Sequence, residues 1–282
     1  MTRIGILHPG EMGVSIAASA INNGNQVFWS SQSRSEKTRS RAVRHELIDA
    51  GSLSELCQIS EIIFSVCPPH AAEETADSVI NQGFMGSYLD ANAISPRRSI
   101  KIGQLMESNG IRFIDGGIIG GPAWNIQETW LYLSGKDSHV VANCFSGGPL
   151  AIKIIGDDIG KASALKMCYA AYSKGTTDLL AAILATAESF GVRDDLYQQW
   201  GMDNPDFVNQ VKERTTRVTA KAWRFEGEMH EIASTFQEAG LPDGFHRSAV
   251  EIYRRMAGFK DSPEPPKLGD VLDALLHEQK RP

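Results

Sequence analysis

"RIGILHPGEMGVSIAASAINNGNQVFWSS", residues 3–31, decides how the rest of the chain is read. "RIGIL" is a short apolar strand. "GEMGVSIAASAINNG" predicts a helix with Ile16, Ala17, Ala20 and Ile21 on one face, closed at Asn23-Gly24. "QVFW" is a β-type run. Strand, glycine turn, helix and strand make a βαβ unit, whose helix N-terminus presents amides suited to an anion. A full dinucleotide fingerprint has three glycines, for the tight turn, for backbone approach to the pyrophosphate and for helix–strand packing. Gly10 and Gly13 stand at the second and third of these positions, and His8-Pro9 at the first. Proline fixes its own φ at about −65° and biases the preceding residue toward extended backbone. The strand is therefore expected to run one residue further before turning. Pro9, Gly10, Glu11, Met12 and Gly13 form the expected cofactor turn, with the amides near Gly10, Glu11 and Met12 free.

Working outward, strand and helix signals alternate. "SEKTRSRAVRHEL" reads as a polar helix and "SEIIFSVCPP" as a buried strand stopped by two prolines, with Cys67 and Pro68 at its end. "HAAEETADSVI" is a helix, "SYLDANA" a strand, and "SPRRSIKIGQLMESNG" a helix with an early proline and a glycine stop. "IRFIDGGII" and "TWLYLSGKD" follow as strands. Such alternation predicts an α/β fold, a doubly wound and mostly parallel Rossmann sheet with helices on both faces. Ligand would sit beyond the carboxyl ends of the strands. After about residue 158 the signals are all helical: "GKASALKMCYAAYSKGTTDLLAAILATAESFG", interrupted at Gly175, then "NPDFVNQVKERTTRVTAKAWRFEGEMHEIASTFQEAG" and "FHRSAVEIYRRMAGF". The expected domains are 1–157, binding the nucleotide, and 158–282, an all-helical substrate and dimerisation domain. "KDSPEPPKLGD" reads as a proline-rich loop before a last short helix.

Composition narrows the function. The 282 residues are 42% hydrophobic and 22% charged, with a net charge of −6. A mildly acidic chain does not suit a nucleic-acid backbone. There is no apolar run long enough to span a membrane and no leader pattern. Cys57, Cys67, Cys144 and Cys168 are scattered and form no CxxC pair, which fits reduced thiols in the cytoplasm. His139, His230, His246 and His277 are isolated, so no metal site is expected.

Cofactor choice is read at the end of the second strand, where an Asp or Glu holds the ribose 2′-OH of NAD. In "WSSQSRSEKTRSR" no acid precedes Glu36. Ser30, Ser31, Ser33, Arg34 and Arg39 offer hydroxyls and guanidinium groups instead, which suit the 2′-phosphate of NADP. Ser31 and Arg34 are taken as cofactor contacts, as are Cys67, Pro68 and Asn92, with NADP favoured over NAD.

Further motifs carry a family resemblance. "IGILHPGEMG" resembles the N-terminal nucleotide turn of the β-hydroxyacid dehydrogenases, which include 3-hydroxyisobutyrate and 6-phosphogluconate dehydrogenases. "DANAISP" (90–96) is similar to their segment after a central strand, with Asn92 where serine is usual. "DGGIIGG" (115–121) resembles their substrate-binding Asp-x-Pro-x-Ser-Gly-Gly stretch, with Gly117 for proline and Ile119 for serine. "GKASALKMCYA" (160–170) looks like their catalytic helix: Lys166 is kept, Ala170 replaces an asparagine, and Tyr169 stands where 6-phosphogluconate dehydrogenase has histidine. The region from about 185 to 260 looks like the C-terminal domain of a subgroup of that family.

The resemblance implies a small-molecule dehydrogenase, usually a homodimer, with Lys166 as general acid/base. Hydride transfer consumes or leaves a proton on the substrate oxygen, which a lysine with lowered pKa can exchange. On a regular α-helix Lys166, Tyr169, Ala170, Ser173 and Lys174 share one face. Tyr169 could orient Lys166 or donate to the substrate; Lys174 could depress the Lys166 pKa or bind a substrate anion. The amides of Gly120 and Gly121 could approach a substrate carboxylate. With Ile119 and Ala170 apolar, the expected pocket differs from that for a small hydroxy acid. Two alternatives stand beside this reading: an imine reductase, against which Lys166 weighs, and a nucleotide-binding protein whose catalysis has lapsed.

Overall fold

The computed structural model describes residues 1–260, 262 and 264–277. The chain divides into two compact units, Met1–Met167 and Cys168–Pro282.

The first unit follows the order β1 (Arg3–Ile6), α1 (Glu11–Asn22), β2 (Gln26–Trp29), α2 (Glu36–Arg44), β3 (Ile48–Asp49), α3 (Leu53–Ile59), β4 (Ile62–Ser65), α4 (Ala72–Ile80), β5 (Ser87–Asp90), α5 (Pro96–Ser108), β6 (Arg112–Ile119), β7 (Trp130–Ser134), α6 (Ser138–Ala142) and β8 (Ala151–Ile154). These strands form one eight-stranded sheet in the order 3-2-1-4-5-6-7-8. All neighbours are parallel except β6 and β7, which run antiparallel. Strand order reverses between β1 and β4, the place where a doubly wound sheet opens a crevice at its carboxyl edge.

The sheet is buried on both faces because its central strands are largely apolar. In β4 all four residues are buried. Ile62 and Phe64 join a cluster with Ile4, Ile6, Trp29, Leu89 and Phe145. Ile63 points the other way, into a cluster with Leu56, Tyr88, Phe113 and Met106. That alternation is the pleat. α1 buries Gly13, Val14, Ile16, Ala17 and Ala20, and Gly24 at φ 79° stops it.

Four elements had no reading in the sequence: β3, β8, α3 and α6. Ile48, Asp49, Lys153 and Ile154 are exposed, so β3 and β8 lack the apolar pattern of a buried strand. The polar helix after β2 ends at Arg44, short of its expected limit, with Glu46 in the left-handed region at φ 59°.

α7 (Lys161–Ala170) crosses from the first unit into the second. Gly175 does not interrupt the helix beyond it. Residues Ala171–Gly175 instead form a π-helical turn that leads into α8 (Thr176–Ser189). Its carbonyls are satisfied from neighbouring helices: Ser173 O accepts from Arg214 Nη2 at 2.6 Å and Lys174 O accepts from Tyr253 Oη at 2.8 Å.

The second unit continues through α9 (Arg193–Asp203), α10 (Phe207–Glu238), α11 (Gly244–Met256) and α12 (Leu268–Leu276). α10 buries Val211, Thr215, Thr219, Ala222, Phe225, Met229 and Ile232, steps of three and four that form one stripe. Of the loop "KDSPEPPKLGD", residues 261 and 263 lie outside the described residues, and α12 begins at Leu268. Among the described residues, no helix is long and apolar enough to cross a membrane.

Candidate functional site

Two close approaches build the turn after β1. The Leu7 amide adds one more bond to β4, at Phe64 O (3.2 Å), and Gly10 N then donates to His8 O at 2.8 Å. A Cβ on Gly13 would lie 2.3 Å from His8 O, so α1 seats on the strand end only with glycine there. Gly10 differs: a Cβ there would meet nothing within 4 Å. As N-cap of α1, Gly10 supplies no side-chain cap, which leaves the helix N-terminus suited to an anion. The Gly10 amide, expected to be free, is taken by His8 O; the amides of Glu11 and Met12 are the remaining candidates. The Glu11 carboxylate pairs with Arg41 at 2.6 Å, and Met12 packs on the core.

Three arginines gather around this turn. Arg34 Nη2 donates to Leu7 O at 3.0 Å, Arg39 Nη2 to Ser31 O at 2.7 Å, and Arg41 Nη1 to Pro9 O at 3.4 Å. Arg34 follows Ser33, which has a left-handed backbone at φ 59°. Burial lowers the Arg34 pKa. Burial first, and the Arg34 charge second, press His8 down to about 4. One acid that sequence reasoning did not place here is Asp49, at the end of β3. It accepts from Ser31 N at 3.2 Å and Gly51 N at 2.8 Å. Partial burial opposes its ionisation, but the hydrogen bonds from Ser31 and Gly51, with the charge of Arg39, hold its pKa below the usual range.

Cys67 and Asn92 tie the carboxyl ends of β4 and β5 together. Asn92 Oδ1 accepts from Cys67 N at 2.6 Å, and its Nδ2 donates to Ser65 Oγ at 3.2 Å. Asn92 is buried, so its side-chain amide is occupied within the protein. Pro68 is exposed beside them. Below lies Asp90, the register partner of Asp115 across β5 and β6. Its Oδ2 is buried without a hydrogen-bond partner. Burial raises Asp90 to about 7, with Asp115 adding to the effect.

Asp115 is the hub of the next layer. Its carboxylate accepts from Ser99 Oγ (2.9 Å), Ser134 Oγ (2.9 Å), Ser163 Oγ (2.6 Å), Gly160 N (2.9 Å) and Ser163 N (3.1 Å). Ala162 N donates to Ser134 Oγ at 3.1 Å. The start of α7 is thus fastened to the sheet by a buried acid. Two residues along, a Cβ on Gly117 would stand 2.5 Å from Ala162 O and 3.2 Å from Lys166 Cβ. Asp115 and Gly117 lie on the same face of β6: one caps α7 and the other lets it approach. The outcome is a partly buried Lys166 beside the carboxyl-terminal half of β6.

Gly120, at φ 121°, lies where a Cβ would meet Glu128 O at 2.3 Å. Gly121 is open, and its carbonyl accepts from Thr129 Oγ1 at 2.7 Å. The loop they begin returns to the nucleotide turn, where Ala123 N donates to Ser15 Oγ at 2.8 Å and Trp124 stacks on His45 with ring centroids 4.9 Å apart. Nucleotide turn, glycine loop and Lys166 therefore all belong to the first unit.

Tyr169 is exposed on α7, in the second unit. Lys174 is placed otherwise than an anion-binding lysine. It pairs with Glu228 in a largely buried contact and lies 4.7 Å from the centre of the Phe225 ring. The π-turn also breaks the α-helical phase on which the shared face of residues 166 to 174 depended.

Over residues 3–144 the chain matches the NAD binding domain of 6-phosphogluconate dehydrogenase. It belongs to that family. Residues 187–256 match a domain of unknown function, DUF1932. An uncharacterized 28.5 kDa protein in the 7S RNA 5′ region of Methanothermus fervidus is 27% identical over 197 residues, 70% of this chain and 75% of that one. Among solved structures, the conserved protein MTH1747, described as structurally similar to 3-hydroxyacid dehydrogenases, is 25% identical with a TM-score of 0.69. The match covers 91% of this chain and 97% of that one. The 3-hydroxyisobutyrate dehydrogenase of Mycobacterium tuberculosis is 17% identical, with a TM-score of 0.70 and coverage of 98% and 99%. The imine reductase BcSIRED from Bacillus cereus is 16% identical, with a TM-score of 0.56 and coverage of 97% and 98%. The last two share the fold.

The matched stretch of the first unit includes the turn with Gly10 and Gly13 and the arginines around it. The roles of Asp115 and Ser163 escaped sequence reasoning, although an acid within a buried strand was the signal that some partner had to satisfy it.

Proposed function

We propose that the protein is an NADP-dependent oxidoreductase acting on a hydroxyl or carbonyl carbon of a small substrate, with Lys166 as general acid/base. The observation that carries the reading is the seating of Lys166. Asp115 holds the start of its helix, and Gly117 lets it approach β6, the strand that ends at the Gly120-Gly121 loop. When bound, the nicotinamide supplies or accepts a hydride. The Lys166 amine takes the hydroxyl proton in oxidation and its ammonium returns one in reduction. Gly121, with open space around it, is the candidate contact for the substrate's polar end, and Tyr169, three residues beyond Lys166, for orienting the ammonium.

The dinucleotide itself fits the residues present. The Glu11 and Met12 amides would meet the pyrophosphate, Gly10 leaves room for it, and Arg34 and Ser31 would hold the adenosine side. NADP is favoured because Arg34 keeps a buried Nε without a partner, whereas Asp49 already holds the Ser31 and Gly51 amides. Lys174, paired with Glu228, has no role in this reading. The homodimer implied by the family resemblance belongs to it and is checked by sedimentation.

The test is a fluorescence titration of the protein with NADPH and NADH, followed by Lys166→Ala kinetics on any substrate from a hydroxy-acid, ketone and imine panel. NADPH is expected to bind at least about tenfold more tightly, a charge-assisted contact's worth. A preference for NADH overturns the choice of cofactor. An unchanged kcat in the alanine variant removes Lys166 from the chemistry.

A further inference from the structure

We propose that His8, standing at the first glycine position of the fingerprint, is a cofactor-binding contact: its imidazole and the Arg34 guanidinium together hold a phosphate oxygen of the bound dinucleotide, and His8 takes up a proton as they do. The proposal rests on reading the turn as a dinucleotide site.

Two buried polar atoms motivate it. His8 Nδ1 and Arg34 Nε are both shielded from solvent and both lack a hydrogen-bond partner. They belong to one corner of the fold, because Arg34 Nη2 is anchored on Leu7 O, the carbonyl just before His8. Buried polar atoms are nearly always satisfied, so a pair of orphans flanking a binding turn points to a ligand atom that satisfies them. The Arg34 Nε is a donor only, and an imidazolium donates at both nitrogens. The missing partner is therefore an acceptor, and beside a guanidinium an anionic one. The space at Gly10 is open, so an anion can reach the turn.

The surrounding charges fit the same conclusion. From α2, Arg41 lies on Pro9 O and is paired with Glu11 of α1. Arg39 lies on Ser31 O and Arg34 O. Asp49, after β3, is held by Ser31 and Gly51. Arg34 itself has no carboxylate hydrogen-bonded to it, so this corner carries unbalanced positive charge. Without ligand, burial and then the Arg34 charge keep His8 neutral above about pH 4. A phosphate brought alongside raises an imidazole pKa by roughly 1–3 units. Between the two values binding must draw a proton from solution, and the uptake must fade as pH rises above the bound-state value.

The experiment is calorimetric titration of the full chain with NADP⁺ and NAD⁺ at pH 5.5 and pH 8, each in two buffers of different ionisation enthalpy. Wild type is compared with His8→Gln and with His8→Gly, which restores the fingerprint glycine. The 2′-phosphate titrates near pH 6 by itself, so the diagnostic is the difference between wild type and variants. At pH 5.5 wild type is expected to take up between about 0.2 and about 0.9 of a proton more per site, the occupancy that a rise of roughly 1–3 units gives, and to bind up to about thirtyfold more tightly. Both differences shrink at pH 8. An excess with NADP⁺ alone places the contact on the 2′-phosphate; an excess with both places it on the pyrophosphate. Equal proton counts in wild type and both variants, with binding retained, overturn the proposal. Failure of wild type to bind either dinucleotide overturns the dinucleotide reading and this inference with it.

Discussion

Ser163 Oγ donates to Asp115 Oδ1 at 2.6 Å, and through that contact the start of α7 is fixed to β6 of the sheet. Asp115 holds five donors, two of them backbone amides at the start of α7. Asp115→Ala leaves those buried donors without an acceptor. The expected cost is at least about 3 kcal/mol, since each orphaned buried group costs roughly 1–3. Ser163→Ala removes one donor and leaves Asp115 four others, so about 1 kcal/mol is expected. Urea denaturation of both variants checks the order; equal losses would show that α7 is held by something else.

Gly117 and Gly13 make a second prediction, because both glycines are fixed by space rather than by φ. A Cβ on Gly117 meets Ala162 O at 2.5 Å, and one on Gly13 meets His8 O at 2.3 Å. In each case the opposing atom is backbone, which cannot swing aside. Gly117→Ala is expected to push α7 off β6, costing about 1–3 kcal/mol as overpacking does, and to cut activity more than nucleotide affinity. Gly13→Ala lifts α1 and is expected to cut nucleotide affinity itself. Gly10→Ala, with nothing within 4 Å, serves as the control for stability. Fluorescence titration and thermal melts separate the three.

How much of this was legible follows from what each element shows in sequence. β1, α1 and β2 were legible because apolar periodicity, a glycine turn and a glycine stop agree over residues 3–31. β3 was not, because its two residues are exposed, and with it went the position of Asp49 beside Ser31. α3 did carry a signal, the Ser52–Glu55 capping box, which the structure forms in full. Gly175 looked like a break and is a π-turn, because Arg214 and Tyr253 accept the work of satisfying its carbonyls. Those partners lie 41 and 79 residues away along the chain, beyond any local pattern. Lys166 was legible by resemblance; why it is seated as it is, through Asp115 and Gly117, needed the tertiary structure.

The Lys174–Glu228 pair yields a prediction about the second unit. Both side chains are largely buried, at 15% and 13% exposure, so neither charge tolerates losing its partner. Lys174→Met alone or Glu228→Leu alone is expected to destabilise by about 3 kcal/mol. Replacing both, Lys174→Met with Glu228→Leu, removes the two desolvation costs together and should come close to wild type. Chemical denaturation around this cycle gives the coupling directly. Additive losses would mean that the two charges do not depend on each other.

Asp90 sets a pH dependence whose sign can be worked out. Its carboxyl is fully buried, and burial, reinforced by Asp115, raises it from 3.8 to about 7 in the folded chain. The folded state therefore holds a proton that the unfolded state has released between those values. Stability from this group is complete below about pH 4, falls as pH rises to about 7, and is constant above that. The three-unit gap corresponds to an upper limit of about 4 kcal/mol. His8 works in the opposite direction, since its pKa is lowered from 6.5 to about 4 and its contribution grows as pH rises through that range. Asp178 in the second unit, raised to about 7 by burial, runs parallel to Asp90. Wild-type stability alone therefore blends these groups with others such as His246, which burial lowers, and the informative quantity is the difference from Asp90→Asn. The amide keeps an acceptor for the Asn92 N–H, which Asp90 Oδ1 now receives at 2.9 Å, and cannot ionise. In urea denaturation from pH 4.5 to pH 8, Asp90→Asn should gain on wild type steadily up to about pH 7 and no further. A constant difference across that range would mean that Asp90 stays ionised in the folded chain and that its buried Oδ2 finds a partner after all.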